Sequence, residues 1–199
     1  MLNIKKVILA LVLTFSSLVA DDYSNVDYIP ENVYKNLSLI GFEGGFSSME
    51  VSNDETPVVV NKYSFLSAGL KLGAEMEYYR LFLSTHYYPI SGFDYAYTIG
   101  AELQYLVNFS KSTNFFLGIN TGIAEMKFLD SKNVSRTISD QYIGGDMGLN
   151  YHFNKSFDWE VGMRIMNLNA ENERNNVTYT FDNMFSVYTS IIFKYQIID

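Results

Sequence analysis

The sequence of 199 residues contains no cysteine, 3 prolines, 2 histidines and 1 tryptophan. The absence of cysteine excludes a disulfide framework, a thiol nucleophile and a thiolate metal site. Two histidines leave little for a histidine-based metal centre, so we expect neither a metal ion nor another cofactor. Acidic residues outnumber basic ones, 22 to 14, which gives a net charge of −8. This charge disfavours nucleic acid as a partner, because phosphate binding needs clustered lysine and arginine.

The abundant residues are tyrosine and phenylalanine, with 16 and 15 copies. Disordered chains are poor in aromatic residues, so this density argues for a folded protein. It suits β-structure, including barrels that carry aromatic belts at a membrane interface. The length suits one domain, or at most two small ones.

The first twenty residues have the order of a secretory signal peptide. Lys5 and Lys6 form a positive start, an apolar run over 7–15 follows, and Ala20 fits the cleavage position. The apolar run is too short to cross a bilayer as a helix, which takes about 20 residues. The sequence therefore predicts an exported protein from which residues 1–20 are removed.

Residues 21–36 are polar and mixed, and we interpret them as a periplasmic linker before a barrel domain over 37–199. Segment 63–77 shows the pattern of the barrel most clearly: even positions from Leu66 to Met76 are apolar, and the odd positions between them are small or charged. Such strict alternation indicates an extended strand rather than a helix. The same alternation predicts eight strands, near 40–46, 63–77, 81–87, 97–105, 115–123, 143–153, 157–165 and 185–195.

The connections between these segments are expected to alternate in length, as in hairpins of a barrel whose two ends face different environments. Short polar turns are predicted near 77–79, 110–114 and 154–156, a modest loop at 89–94, and longer polar loops near 49–62, 127–140 and 169–178.

The polar face of the strands carries the charges and many of the glycines, while the apolar face carries almost no charge. A soluble exported barrel or sandwich would turn the apolar face inward. A membrane barrel would turn it to lipid. Glycines are needed where eight strands close into a tight interior, and the aromatic residues cluster at strand ends, as interface girdles do. The sequence thus favours an all-β, eight-stranded antiparallel up-and-down transmembrane β-barrel.

The final strand ends in Phe193, Lys194 and Tyr195. With this ending, the signal peptide and the eight alternating segments, the chain resembles the small eight-stranded outer-membrane β-barrel proteins, the outer membrane protein A-like transmembrane domain class, over about 37–195. The resemblance implies the outer membrane of a Gram-negative bacterium and contact with outer-membrane lipid and lipopolysaccharide. It also implies insertion by the barrel assembly machinery. Residues 196–199 depart from the family pattern, in which the aromatic residue comes last.

Charges on the polar face form the first candidate site. Pairing as simple hairpins puts Glu43 at the depth of Lys71, and Asp146 at the depth of Arg164. Charges inside a narrow barrel must be paired, and an eight-stranded interior holds little beside side chains. We therefore predict a lumen largely closed by salt bridges, with a narrow ion-conducting pore as the alternative. The predicted lumen network consists of Glu43, Lys71, Glu102, Asp146, Glu160 and Arg164.

The loops form the second candidate site, because binding usually resides on loops held by a rigid scaffold. We predict a structural or interaction protein whose loops serve binding or adhesion, with the external ligand left open. A lipid-modifying hydrolase using Ser84 and His86 is a weaker alternative, since residues two apart on a strand are common by chance. We therefore assign no catalytic residue. The predicted recognition residues are Glu50, Asp54, Glu55, Asp130, Arg136, Glu171, Glu173 and Arg174.

Overall fold

The structure is a computed structural model. It describes residues 37–54, 59–108, 110–130, 134–168, 170–174 and 177–196. The predicted signal peptide, the predicted linker and Glu55 lie outside the described residues. In the described part, no helix is long and apolar enough to cross a membrane.

Nine strands form one antiparallel sheet that closes into a ring. Each strand from β1 to β7 pairs with the next, and β9 pairs with both β7 and β1. The short β8 continues the line of β7 along β9. The barrel wall therefore has eight strand positions, which confirms the predicted fold. The strands are β1 Leu37–Asn53, β2 Val59–Glu75, β3 Tyr79–Tyr87, β4 Phe93–Asn108, β5 Thr113–Leu129, β6 Ser135–Asn154, β7 Phe157–Asn167, β8 Ala170–Arg174 and β9 Val177–Tyr195.

The start of β1 and the end of β9 lie at the same end of the ring, where Ser38 pairs with Tyr195. We call this the terminal end, and the opposite one the distal end. The prediction of long loops at the distal end is wrong, because the strands extend into those segments. Strands β1 and β2 reach Asn53 and Val59, β5 and β6 reach Leu129 and Ser135, and β8 and β9 are separated by two residues.

The terminal two-thirds of the barrel, which we call the membrane section, is apolar outside and polar inside. Leu66, Ile119 and Ile143 are 58%, 65% and 68% exposed, whereas Lys71 is wholly buried. A continuous exposed apolar belt of this kind requires lipid as its solvent. At the terminal end the belt finishes in a girdle of half-exposed aromatic side chains: Tyr78, Tyr79, Tyr105, Phe153, Phe193 and Tyr195.

The distal third of the barrel, which we call the distal collar, has the opposite arrangement. On β1, Phe42 and Phe46 face outward, but Met49 and Val51 face inward, so the apolar positions change from even to odd. The strands continue through this change, which is why segments with polar outer faces looked like loops in the sequence. The collar interior is an apolar cluster of Met49, Val51, Phe65, Tyr88, Ile90, Ala96, Ala124, Met126, Phe128, Ile138, Tyr142, Met166, Leu168, Ala170, Val177, Tyr179, Phe181 and Met184.

Candidate functional site: the lumen of the membrane section

Lys71 is the centre of the lumen charges. It lies on an inward position of β2 and is surrounded by three carboxylates from β1, β4 and β7. Its Nζ is 2.9 Å from Glu43 Oε2, 3.1 Å from Glu160 Oε1 and 3.3 Å from Glu102 Oε2. The side chains of all four residues are buried. The ammonium group of Lys71 on β2 is therefore ion-paired with side chains from three other strands.

Arg164 on β7 crosses the lumen. Its Nη1 and Nη2 donate to the two oxygens of Glu43 at 2.8 and 3.1 Å, and Nη2 also donates to Glu102 Oε1 at 3.0 Å. The Glu43 contact is the two-pronged guanidinium–carboxylate pairing that fixes both groups in orientation. Five of the six predicted network residues are thus joined by ion pairs, which we call the central network.

Asp146 is the sixth predicted residue, and its surroundings differ from the expectation. It lies opposite Arg164 in the register of β6 and β7, at the expected depth. The guanidinium nevertheless turns away to the far walls. The carboxylate of Asp146 instead accepts hydrogen bonds from Gln104 Nε2 at 3.0 Å, Asn120 Nδ2 at 3.5 Å and the Tyr188 hydroxyl at 3.5 Å.

Tyr188 on β9 completes the centre of the lumen, and our sequence reasoning did not single it out. Its ring lies 4.7 Å from Lys71 Nζ and 4.5 Å from Arg164 Cζ. Desolvated cations over an aromatic face are attracted by about 2 kcal/mol. The signal was available in the sequence, because Tyr188 occupies the polar parity of β9, between Ser186 and Ser190.

A second set of charges lies below the first, and we call it the terminal network. Arg80 pairs with Glu75 and Asp158, and Lys194 pairs with the same two carboxylates at 3.0 and 2.7 Å. His152 Nδ1 lies 2.8 Å from Asp158 Oδ1. Glu160 connects the two networks through a 3.7 Å approach to Arg80 Nη1. Charge pairing therefore runs from the terminal end to the middle of the barrel.

The hydrolase alternative finds no support in the geometry. His86 Nε2 lies 3.2 Å from Glu43 Oε1 and 3.0 Å from Arg164 Nη1, while Nδ1 lies 3.4 Å from Thr98 Oγ1. Both ring nitrogens are thus occupied, and Ser84 Oγ makes no hydrogen bond within the described part of the chain. A serine nucleophile needs a base within hydrogen-bond reach, and Ser84 has none among the described residues. Both Ser84 and His86 are also buried inside the lumen.

Two of the predicted recognition residues are not on the surface. Asp130 and Arg136 are buried inside the tip of the distal collar, where Arg136 Nε donates to Asp130 Oδ2 at 2.9 Å. The guanidinium of Arg136 lies 4.7 Å from the ring of Tyr179. This pair closes the end of the apolar cluster, so its assignment to a recognition loop was wrong.

The other described recognition residues are at the surface of the collar. Glu50 on β1 pairs with Lys62 at 2.8 Å, and Glu171 and Glu173 are exposed on β8. The amide of Thr178 donates to Asp54 Oδ1 at 2.8 Å, and this hydrogen bond lowers the pKa of the Asp54 carboxyl below its usual value. For Arg174 the structure describes the backbone only. Among the described residues, no three histidine, aspartate or glutamate side chains are grouped to hold a metal ion.

Comparison with known proteins gives structural neighbours only. No family model and no curated sequence matches the chain. Neisserial surface protein A is 14% identical, covers 77% of this chain and 97% of its own, and superposes with a TM-score of 0.56. OprG of Pseudomonas aeruginosa is 12% identical, covering 80% and 97% with a TM-score of 0.52. The N-terminal β-barrel domain of OprF from the same organism is 12% identical, covering 81% and 100% with a TM-score of 0.50.

These likenesses concern the fold, and the surface of this chain supplies the rest. The belt of exposed leucine, isoleucine and phenylalanine is suited to lipid and not to water. The predicted fold is therefore confirmed: the chain is an eight-stranded β-barrel like those of these outer-membrane proteins, and its outer face is suited to lipid.

Proposed function

We propose that this barrel is closed to ions and acts as a structural or interaction protein of the outer membrane. The observation that carries the proposal is the apolar cluster inside the distal collar, which lies in series with the central network. Phe181, Met184 and Met166 are at most 1% exposed there. Apolar constrictions block ions because they shed water. Even a hydrated path through the charges of the membrane section would end at this cluster.

Planar-bilayer conductance tests the closed lumen. Protein refolded in detergent and inserted into a bilayer is expected to give no steady current. Insertion is checked independently by heat-modifiable gel migration of the same sample, since a folded barrel migrates differently before and after boiling. A steady open conductance from protein that passes this check would overturn the proposal and favour the narrow pore.

The interaction role is proposed for the outer face of the distal collar. This face projects beyond the apolar belt on paired strands, so it presents fixed side chains to the medium. Its acidic excess favours a basic partner surface. The described charged residues on it are Glu50, Asp54, Asp94, Glu125, Asp140, Glu171, Glu173 and Asp182, against Lys62 and Lys127.

Adherence of cells that display the barrel tests this role. A double substitution, Glu171→Lys with Glu173→Lys, is expected to reduce adherence to an immobilised basic protein and to weaken its dependence on salt. Thr137→Ser, on the outer face of neighbouring β6, is the control and is expected to change nothing. Equal adherence of both variants and the wild type would remove the role from β8.

The same proposal includes the partners implied by the fold. Outer-membrane lipid and lipopolysaccharide would surround the apolar belt, and the barrel assembly machinery would receive the closing strand β9. The support for the second is the aromatic end of β9, where Phe193 contacts Phe42 and Phe157 with ring centroids 6.3 and 5.6 Å apart.

A further inference from the structure

One wall of the lumen, formed by β4, β5 and β6, carries oxygen-bearing side chains around two glycines. Gln104, Gly118 and Asp146 are neighbours in register across the three strands, and so are Glu102, Asn120 and Gly144 one step further. The two glycines leave the room that the side chains use: a Cβ on Gly118 would lie 2.5 Å from Asp146 Oδ1, and one on Gly144 would lie 2.7 Å from Asn120 Oδ1. Gln104, Asn120 and Asp146 are joined by hydrogen bonds in this recess, and Glu102 lies beside Asn120 in register on the same wall.

The charges around this recess do not balance. The terminal network has two carboxylates, Glu75 and Asp158, against Arg80 and Lys194. The centre of the lumen has Lys71 and Arg164 against four carboxylates, which are Glu43, Glu102, Asp146 and Glu160.

His86 lies between the two signs of charge. Its Nε2 is 3.0 Å from Arg164 Nη1 and 3.2 Å from Glu43 Oε1. Among the described lysine and arginine side chains, the centre thus has two cations for four carboxyl groups, and buried charges need compensation.

Buried oxygens in the same recess lack donors. Within the described part of the chain, Glu102 Oε2, Gln104 Oε1 and Asn120 Oδ1 accept no hydrogen bond, although Lys71 Nζ approaches the first at 3.3 Å. The side-chain nitrogens of Gln104 and Asn120 both donate to Asp146. The oxygen of each amide group is therefore also close to that carboxylate. Half a turn of either amide exchanges its nitrogen and oxygen without changing its volume.

We propose that Asp146, Glu102, Gln104 and Asn120 bind one hard divalent cation, with Ca²⁺ the best fit. Hard cations take carboxylate and amide oxygens, and Ca²⁺ tolerates the irregular geometry of such a set. Its two charges would offset the excess of carboxyl groups over lysine and arginine at the centre of the lumen. The amides would turn their oxygens inward on binding, which would give Gln104 Oε1 and Asn120 Oδ1 a partner. The site is independent of the proposed closed lumen, because either could hold without the other.

Retained calcium in the folded full-length barrel tests the site. Wild-type protein is refolded in detergent with Ca²⁺, because a closed lumen admits ions slowly, then passed through a chelator-free desalting column and assayed for bound metal. One Ca²⁺ per chain is expected. Asp146→Asn keeps the shape and removes the charge, and is expected to retain less than a tenth as much. Asp182→Asn, on the outer face of the collar, is the matched control and is expected to retain the same amount as the wild type.

Folding is checked for each variant by heat-modifiable migration. If Asp146→Asn does not fold, Asn120→Ala replaces it, with at least tenfold weaker Ca²⁺ retention expected. Mg²⁺ retained at the same stoichiometry, and lost in the same variants, also supports a hard-cation site. Absence of retained Ca²⁺ and Mg²⁺ in the wild type would overturn the proposal. Equal retention in a folded lumen variant would do so too, since the ion would then belong to the surface acids.

Discussion

The membrane section and the distal collar are built from the same strands and arranged in opposite ways. On β1 the apolar side chains point outward at Phe42 and Phe46, and inward at Met49 and Val51. Alternation persists across the boundary, and only its phase changes. The comparison shows that the solvent outside each section decides which face is apolar. The strands of one barrel can therefore extend from lipid into water without a change of fold. The apolar residues then move from the outer face to the inner face, and the polar residues move the other way.

The interiors of the two sections are stabilised by different forces. The collar gains stability from apolar side chains removed from water, at about 25 cal/mol per Å² of buried apolar surface. The membrane section gains little from its outer face, because lipid is as apolar as its leucines. Its interior depends instead on the ion pairs of the central and terminal networks, where the loss of one partner leaves the others without compensation. Substitutions at matched positions can separate these two contributions.

The largest effect is expected for Lys71→Met. Removing this ammonium leaves Glu43, Glu102 and Glu160 with one cation fewer, so the free energy of unfolding should fall by about 3–5 kcal/mol. Urea unfolding in detergent, followed by gel mobility, measures it. Lys62→Met on the same strand is the control: Lys62 is exposed and its pair with Glu50 is worth about 0–1 kcal/mol. Equal losses in the two variants would contradict the assigned role of the central network.

The next effect is expected for Met184→Ala in the collar. Met184 is fully buried in the apolar cluster, and truncation there should cost about 2–5 kcal/mol through lost burial and the cavity left behind. Met163, which is 45% exposed on the lipid-facing side of β7, gives the matched control. Its truncation should cost clearly less, because lipid fills the space. The same urea titration reports both values, and a larger loss at Met163 would refute a collar held by apolar packing.

A smaller effect is expected for Ile119→Arg, which places a charge on the lipid face. Ile119 lies midway along the exposed belt of β5 and is 65% exposed. Arginine near the bilayer midplane costs about 2–4 kcal/mol. Ser139→Arg on the outer face of the collar should change stability by about 0.5 kcal/mol or less. Unfolding from lipid vesicles measures the pair, and an equal cost at both sites would mean that the belt ends elsewhere.

The smallest effect concerns Asp54, which lies beyond the membrane section at the distal end of β1. The hydrogen bond from the Thr178 amide lowers the pKa of the folded carboxyl. The contribution of Asp54 is therefore fully present above the unfolded pKa and is lost as pH falls through the lower folded pKa. Nuclear magnetic resonance should show the Thr178 amide shifting with this carboxyl at acid pH, and Asp54→Asn should abolish the shift. An unchanged titration of Thr178 in the variant would assign the shift to another group.

The sequence predicted the membrane section well and the collar poorly. In the membrane section the two faces differ strongly and with one parity, as from Leu66 to Met76, so the strands could be recognised. The collar breaks that parity. Segment 127–140 puts Phe128 and Ile138 inward beside the charged Arg136, and its outer face is polar. A mixture of this kind resembles a loop when apolar residues are sought only at the positions that are apolar in the membrane section. A search at the alternate positions as well would have extended the predicted strands.

The lumen shows a second limit of sequence reasoning. Neighbouring strands could be paired by hairpin logic, and this put Asp146 opposite Arg164, as the register has it. Hairpin logic cannot follow a long side chain across the barrel. Arg164 reaches Glu43 and Glu102 on distant strands, and Asp146 is left to amides. The depth of each charge was predictable, whereas its partner depended on side-chain reach in three dimensions.

The crossing of the lumen by Arg164 also bears on how the barrel folds. Arg164 and Glu43 are 121 residues apart in sequence, and their strands are brought together by β9, which pairs with both β7 and β1. An open sheet with this seam unformed would hold the charges without their partners, which water must then solvate. Expelling that water and closing the ring thus occur together. A barrel that lacks only the last strand pairing would therefore gain little of the stability of the closed ring. Such long-range dependence slows folding, and we expect the pairing of β1 with β9 to be completed together with the pairing of these charges.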